Sequence, residues 1–326
     1  MLIKDTEEWA NNLFEHAELG DERRTKRLIK ISHQMASNSG SSIVKASGSQ
    51  ASIEGAYRFL RNDKIEANDI ASAGFSSLLP ELQRSKKILA LEDTSTLCYR
   101  HNVTKELGHT GAYKQSSSKG ILAHSVLMVD ADTEHTIGLA EQHRWCRKDE
   151  SFGTANDRKR RKYETKESYK WQRSSEAMSL RYPSVMANII SVCDRESDMF
   201  EYISYKNTQH QRFVVRAKHE RMVNAQGDRL TPYIEQQSSA LSYQVNIQQK
   251  GGRKARIANI EVRYALVTIY PPKKHRKSEG ISLTVISCNE ISPPDGVSPL
   301  CWKLYTNEPI NCATDTLQIV RYYELR

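Results

Sequence analysis

The sequence predicts an α/β protein with a small all-helical N-terminal region, a core of mixed strands and helices, and an antiparallel β insertion in that core. Three patterns predict this. Apolar residues recur at helical spacing over the first 70 or so residues, apolar runs of strand length alternate with polar stretches from about 86 to 218, and side chains alternate with period two from about 241 to 287. We place the boundaries at 1–70 and 71–326, with the insertion at about 219–300.

Capping residues and helical spacing define the N-terminal helices. Asp21, which follows a glycine, predicts the N-cap of a helix that runs to about Ser37 and ends at residues 38–40, and residues 46–52 predict a loop. The apolar residues of the first helix share one face: Trp9, Leu13, Phe14 and Ala17. Those of the last helix do the same: Ile53, Ala56, Tyr57 and Leu60.

Short apolar runs predict the strands of the core. They lie at residues 86–97, 121–129, 136–145, 188–194, 212–218 and 301–306. Polar stretches rich in helix-forming residues predict helices at Lys159–Leu180 and about Thr314–Arg326. In the insertion, Ile260, Val262, Tyr264 and Leu266 alternate with polar residues, which is typical of antiparallel sheet.

Composition excludes several classes of protein. The 326 residues have a mean hydropathy of −0.65 and no apolar run long enough to span a membrane. The opening MLIKDTEEWA is acidic and lacks the apolar segment of a secretory signal. The six cysteines are far apart and form no CxxC pair, which argues against a zinc site or a disulfide framework. We therefore expect a cytoplasmic protein.

The net charge of +9 is concentrated in clusters. The window Val245–Gly280 has nine basic residues and two acidic ones, and further clusters are RRTKRLIK at 23–30 and DRKRRKYETK at 157–166. Each cluster alone could be a solvated face, but three of them in one basic chain favour a polyanion such as nucleic acid. Arg23, Arg24 and Arg27 fall in the first turns of the second helix, a position from which helices often contact DNA.

Two carboxylates stand out by position. Asp93 and Asp194 each come just past the end of an apolar run, so they would converge if the two strands are neighbours in one sheet. Paired carboxylate oxygens suit Mg²⁺ or Mn²⁺, and two such ions support phosphoryl transfer. Aspartate also ends strands simply as a turn former, so spacing alone leaves the metal role open. The motifs of nucleotide binding, zinc proteolysis and serine hydrolysis are absent.

Six segments in this order carry a resemblance: WANNLFEHAELGDERRTKRL, SIEGAYRFLRND, LALEDTSTLCYRH, SVCDRESDMFEY, RFVVRAKH and LCWKLYTNEPI. Together they resemble bacterial DDE transposases of the insertion-sequence-four group, over nearly the whole chain from Trp9 to Arg326. The resemblance implies an RNase H-like catalytic core with a β insertion, preceded by a helical DNA-binding domain. It also implies cut-and-paste DNA transposition by nicking, hairpin formation and strand transfer.

The resemblance assigns roles to residues. Asp93 and Asp194 match the first two members of an Asp, Asp, Glu triad that binds two Mg²⁺ or Mn²⁺ ions. DNA contacts are implied for Arg23, Arg24, Arg27, Lys30, Arg216, Lys218, Trp302, Tyr323 and Arg326. Trp302 would help hold a flipped base, whereas its ordinary interpretation is core packing. The implied partners are transposon-end DNA and target DNA, with a homodimer in the family and no membrane, in the bacterial nucleoid.

The family's C-terminal signature departs from this sequence. Tyr323 and Arg326 fit its start, but the catalytic Glu would fall at position 330, past the last residue. We therefore expect a truncated chain that is inactive alone. Three readings follow: a transposase that needs complementation, a non-catalytic end-binding protein that blocks full-length transposase, or a folded product with no activity.

Overall fold

The computed structural model describes residues 5–100, 102–111, 118–147, 160–249, 254–271 and 279–326. They form two compact units, the first made of the described residues within 1–88, 95–147 and 176–185 and the second of those within 89–94, 148–175 and 186–326. Strand β1 (Ile88–Tyr99) and helix α7 (Lys170–Arg181) contribute to both units. Across the described ranges, no helix has the length and apolar character needed to cross a bilayer.

The first unit contains the N-terminal helices and a small antiparallel sheet. In chain order its other elements are α1 (Thr6–Phe14), α2 (Glu22–Ser37), α3 (Ile43–Ala46), α4 (Gln50–Leu60), α5 (Ala67–Ser76), α6 (Leu79–Arg84), β2 (Gly108–His109), β3 (Lys119–Asp130) and β4 (Thr136–Trp145). Strand β3 pairs antiparallel with β2 and with β4. Among the helices, Leu19, Leu28 and Phe59 are buried together. The face predicted for the last helix is therefore partly wrong: Tyr57 and Leu60 are 38% and 56% exposed, and Phe59 is the residue of that helix in the core.

The cap that the sequence predicts for the second helix is confirmed, whereas the loop predicted after it is partly wrong. Asp21 accepts a hydrogen bond from the amide of Arg23 at 2.8 Å, and α2 runs to Ser37 as expected. The predicted loop at 46–52 is wrong at its end, because the Ser49 side chain accepts from the amide of Ser52 at 3.3 Å and α4 begins at Gln50. The prediction fails because serine is common in loops and is also a favoured N-cap residue.

The second unit is built on a large mixed sheet. In chain order its remaining elements are β5 (Ile189–Cys193), α8 (Phe200–Thr208), β6 (Arg212–Arg216), β7 (Met222–Val223), β8 (Asp228–Arg229), α9 (Leu230–Glu235), β9 (Leu241–Ile247), β10 (Arg256–Ile269), β11 (Ile281–Ile291), β12 (Cys301–Thr306) and α10 (Ala313–Glu324). The strand order is β1-β5-β6-β12-β11-β10-β7-β8, with β9 also on β10. Strands β5 and β6 are parallel, whereas β6, β12, β11 and β10 pair antiparallel in turn. The α/β class with a helical N-terminal region is therefore confirmed.

The core of the second unit lies between this sheet and helices α8 and α9. Its largest buried side chains include Trp171, Tyr202, Phe213 and Tyr305. Strand β5 is buried along its whole length, which explains why its sequence is apolar on both faces except at Ser191 and does not alternate.

Two local predictions in this unit are wrong. The helix predicted to begin at Lys159, which lies outside the described residues, begins at Lys170, because Lys166 has an extended backbone between two short 3₁₀ turns. The prediction that Leu266 lies on the same face of β10 as Ile260, Val262 and Tyr264, turned toward the core, is wrong. Leu266 is 70% exposed, whereas its neighbour Val267 is buried. Pairing with β11 is continuous there, so opposite faces of β10 are covered at its two ends, and Val267 packs in the cluster that contains α9.

A buried ion pair joins β10 to β11. Arg256 donates from Nε and from a second guanidinium nitrogen to the two oxygens of Glu290, at 2.9 and 2.7 Å, and the amide of Leu300 donates to the same carboxylate at 2.9 Å. The hydrogen bonds from Arg256, followed by the one from Leu300, hold the pKa of Glu290 below its usual value. Glu290 is therefore a stabilising group only while it is ionised.

We expect this pair to make stability depend on pH. Because the pKa of Glu290 is lower in the folded state, its stabilisation is complete above the unfolded pKa of about 4.3 and is lost as the pH falls through the lowered folded value. Urea unfolding at a series of pH values from neutral into this acidic range should show a smaller acid-induced loss in Glu290→Gln than in the wild type. Parallel curves for the two proteins would contradict this assignment.

Candidate active site

The two predicted carboxylates lie on neighbouring strands of the second unit. Strand β1 pairs with β5 in the sheet order, and Asp194 directly follows β5. Asp93 is inside β1 and not past its end: the buried half of the strand stops at Glu92, and the strand continues, exposed, to Tyr99. The apolar run therefore marked the end of burial and not the end of the strand.

One guanidinium contacts both carboxylates. A terminal nitrogen of Arg326 lies 2.7 Å from Oδ1 of Asp93 and 3.8 Å from Oδ2 of Asp194, and Nε of Arg326 donates to the carbonyl of Glu92 at 2.8 Å. The Asp93 side chain is 68% exposed, the Asp194 side chain 26% and the Arg326 side chain 16%. The acids thus converge on one cation at an edge that solvent reaches through Asp93.

The orientation of Asp194 is set by its own turn. Its Oδ1 accepts from the amide of Glu196 at 2.7 Å, and Ser197 Oγ donates to its carbonyl at 2.6 Å. These bonds direct Oδ1 into the turn, which leaves Oδ2 for Arg326 or for another cation.

A layer of buried polar groups lies behind the carboxylates. Glu92 and Lys206 are fully buried, and Lys206 Nζ donates to Ser191 Oγ at 2.8 Å and to Gln211 Oε1 at 3.0 Å. Burial, and then the negative charge of Glu92, raise the pKa of the Cys193 thiol, so this cysteine stays neutral. Burial lowers the pKa of Lys206, and the charge of Glu92 opposes that shift. Lys206 and Glu92 thus interact electrostatically inside the protein.

A basic pocket of about 230 Å³ lies in the same unit, at the ends of β6 and β12. It is lined by Arg195, Arg216, Lys218, His219, Trp302 and Lys303, together with Ala217, Glu220, Leu230 and Cys301. Trp302 is half-buried and lines this pocket. The guanidinium of Arg216 lies 5.9 Å from the centre of the Tyr323 ring, a cation–π contact that joins two further predicted residues.

The chemistry of the converging acids suits a hard divalent cation. Carboxylate oxygens from two strands already meet one positive group, Arg326, and Mg²⁺ and Mn²⁺ prefer such oxygens. Within the described ranges, no group of three or more His, Cys, Asp or Glu side chains is arranged to bind a metal. The site of the described residues is therefore a pair of acids.

The predicted cations of α2 fall into two kinds. Arg23 and Lys30 are exposed, whereas Arg24 and Arg27 are half-buried. Nη1 of Arg24 donates to the carbonyl of Leu19 at 2.7 Å, and the guanidinium of Arg27 lies so close to Gly55 that a Cβ there would be 2.6 Å from it. Arg24 and Arg27 therefore have structural contacts, whereas Arg23 and Lys30 face solvent.

Some basic side chains of the window Val245–Gly280 are already paired with carboxylates, so its net charge overstates how many of them can contact a ligand. Arg256 is paired with Glu290, and Arg263 with Glu261 at 2.5 Å. Six of its other basic residues lie outside the described residues: Lys250, Arg253, Lys273, Lys274, Arg276 and Lys277. In the described part, Lys254 is exposed.

Sequence reasoning missed Arg195, His219 and Lys303 in the pocket, and also the buried pair of Asp198 and Arg221. A second aspartate four residues after Asp194 was the available signal for that pair, but nothing in the sequence distinguished it from a turn residue.

A comparison with protein families gives a match in the N-terminal region. Residues 6–65 match the family model described as transposase DNA-binding. The matched residues include helices α1 to α4, and with them Arg23, Arg24, Arg27 and Lys30. The helical N-terminal region is therefore similar to transposase DNA-binding domains, and the match supports a DNA-binding transposase.

Proposed function

We propose that the chain is a metal-dependent cut-and-paste DNA transposase of the insertion-sequence-four group, similar to the Tn-five transposase, with an RNase H-like core in its second unit. The observation that carries the proposal is the convergence of Asp93 and Asp194 on one cation, in a chain that also has a transposase DNA-binding domain. Its substrates would be transposon-end DNA and then target DNA, and a homodimer would bring two ends together.

Asp93 and Asp194 are the residues that would bind Mg²⁺ or Mn²⁺. When bound there, the metal would supply an activated water and would stabilise the leaving oxygen of a phosphodiester. Asp194 is prepared for this by its turn, which fixes one oxygen and directs the other outward. Arg326 neutralises the two acids and can move toward a DNA phosphate, the group that the resemblance assigns to it.

The basic pocket supports a role in positioning DNA. Arg216, Lys218 and Lys303 can bind phosphates, and Trp302 can stack on an unpaired base. Unstacking a base costs a few kcal/mol, which an aromatic side chain in such a pocket partly offsets. Arg23 and Lys30 would bind the phosphates of the transposon end.

A second candidate function is a non-catalytic protein that binds element ends. The observation that favours it is the pair of acids, which is already neutralised by Arg326 and has no third metal-binding side chain among the described residues. This protein would compete with an active transposase for the ends.

The two candidates differ in a nicking assay. With a duplex that ends in the element's terminal repeat and with Mn²⁺, the transposase should nick the DNA, and Asp93→Asn should slow nicking by about 100-fold or more because a metal ligand is lost. Gel shifts should be unchanged. Asp132→Asn, an exposed aspartate of the first unit, is the matched control.

Nicking that survives in Asp93→Asn contradicts the assigned chemistry. A gel shift without nicking by the wild-type chain selects the second candidate.

DNA binding by α2 is tested by separating exposed cations from structural ones. Arg23→Ala and Lys30→Ala should weaken binding to the same duplex, and each should reduce the slope of log K against log salt by about 0.9, with unchanged thermal stability. Arg24→Ala should instead lower the free energy of unfolding by about 1 kcal/mol, because a hydrogen bond is lost. Fluorescence anisotropy across a salt series and thermal melting measure these effects.

Lys86→Ala, an exposed lysine outside the matched domain, is the control. Unchanged affinity and salt slope in Arg23→Ala and Lys30→Ala would refute the role of this helix.

A further inference from the structure

Asp198 is a buried carboxylate with no part in the proposed chemistry. Its side chain is completely shielded from solvent, and its Oδ2 accepts from two consecutive amides, those of Lys218 at 2.7 Å and His219 at 2.9 Å. Its Oδ1 accepts from Nε of Arg221 at 3.2 Å and forms an ion pair with a terminal nitrogen of the same guanidinium, which also donates to the Asp198 carbonyl at 3.0 Å. Both oxygens of the Asp198 carboxylate are therefore bonded to groups within the protein.

Asp198 belongs to the same turn as Asp194. The turn begins at Asp194, whose Oδ1 caps the amide of Glu196, and it ends at Asp198. One side chain of the turn therefore faces Arg326 at the candidate active site, while the other binds the backbone of residues 218 and 219. The turn is a physical link between the carboxylate pair and that segment.

The segment that Asp198 binds is the loop that lines the basic pocket. After β6 ends at Arg216, the amide of Ala217 donates to the carbonyl of Lys303 at 2.8 Å, and the Glu220 carboxylate accepts from the amide of Thr231 at 2.8 Å. The three amides of residues 217–219 are thus hydrogen-bonded and the Glu220 side chain is bonded to Thr231, whereas the side chains of Lys218 and His219 remain exposed. Such an arrangement fixes the position of the cations without covering them.

We propose that Asp198 is a positioning residue that, with Arg221, holds the loop of residues 217–220 in place so that Lys218 meets a phosphate of bound DNA. The inference rests on the proposed function for its ligand, the DNA phosphate. Asp198 itself touches no substrate: it acts through two backbone amides. Arg221 is bound to Asp198, so Lys218 is the cation that the loop of residues 217–220 supplies to the pocket.

The first test measures the loop itself and needs no DNA. In Asp198→Asn, amide hydrogen exchange at Lys218 and His219 should accelerate about tenfold or more, because the charged acceptor of both amides is lost. Glu308→Gln is the matched control: it breaks the buried pair of Glu308 with Arg212 at the opposite end of β6, and it should leave the two amides protected. Unchanged exchange in Asp198→Asn overturns the inference, whatever the chain does to DNA.

The second test is a double-mutant cycle on binding of the labelled terminal-repeat duplex. Lys218→Ala and Asp198→Asn should each weaken binding by about tenfold, and the double variant should be no weaker than either one, since both remove the same contact. Effects that multiply overturn the inference, because Asp198 would then act elsewhere. Lost protection combined with normal binding in Lys218→Ala also overturns it and removes the pocket from the proposed function.

Arg221→Lys keeps both tests decisive if Asp198→Asn does not fold. It retains a cation beside Asp198 but loses the hydrogen bond to the Asp198 carbonyl. Exchange at Lys218 and His219 should then accelerate about threefold, a smaller effect than loss of the charge. Wild-type protection in this variant overturns the inference.

Discussion

Two carboxylates on neighbouring strands repel each other unless a cation lies between them, and this constraint organises the second unit. At about 4 Å and an effective dielectric of 20, two like charges cost about 4 kcal/mol. Arg326 meets this requirement at Asp93 and Asp194. The same rule is repeated on both sides: Lys206 lies with Glu92 inside the protein, and Arg221 with Asp198 at the far end of the turn. Asp93 and Asp194 therefore share Arg326, while Asp198 has Arg221 as its own cation.

Much of the fold could be predicted because periodicity reports which faces are buried. Strands β4 and β12 and helix α2 have the predicted bounds, and Asp21 is the recognisable cap of α2. Prediction failed where burial changes within an element. Leu266 continues the inward pattern of β10 in sequence, yet it is exposed because the covered face has changed by Val267. That change depends on where α9 packs, which is tertiary information.

For the site, position along strands brought Asp93 and Asp194 to attention, and the structure places them at one cation. Their roles as metal ligands remain predictions. The contacts around them were not visible in the sequence: Asp198 and Arg221 are separated by a strand and a helix, and polar partners follow no period. The charge of the insertion misled for a related reason. Counting nine basic residues says nothing of Glu290, which lies outside the counted window and neutralises Arg256.

Several arginines of the chain are bound within the protein, whereas several lysines face solvent. Arg24, Arg212, Arg221, Arg256 and Arg326 form hydrogen bonds within the protein. Lys30, Lys218 and Lys254 are exposed. The planar guanidinium suits fixed contacts with carboxylates and carbonyls, whereas the ammonium is a flexible point charge that can follow a phosphate. Part of the net charge of +9 therefore stabilises the fold through hydrogen-bonded arginines. The exposed lysines, together with Arg23, supply the charge that can contact a DNA backbone.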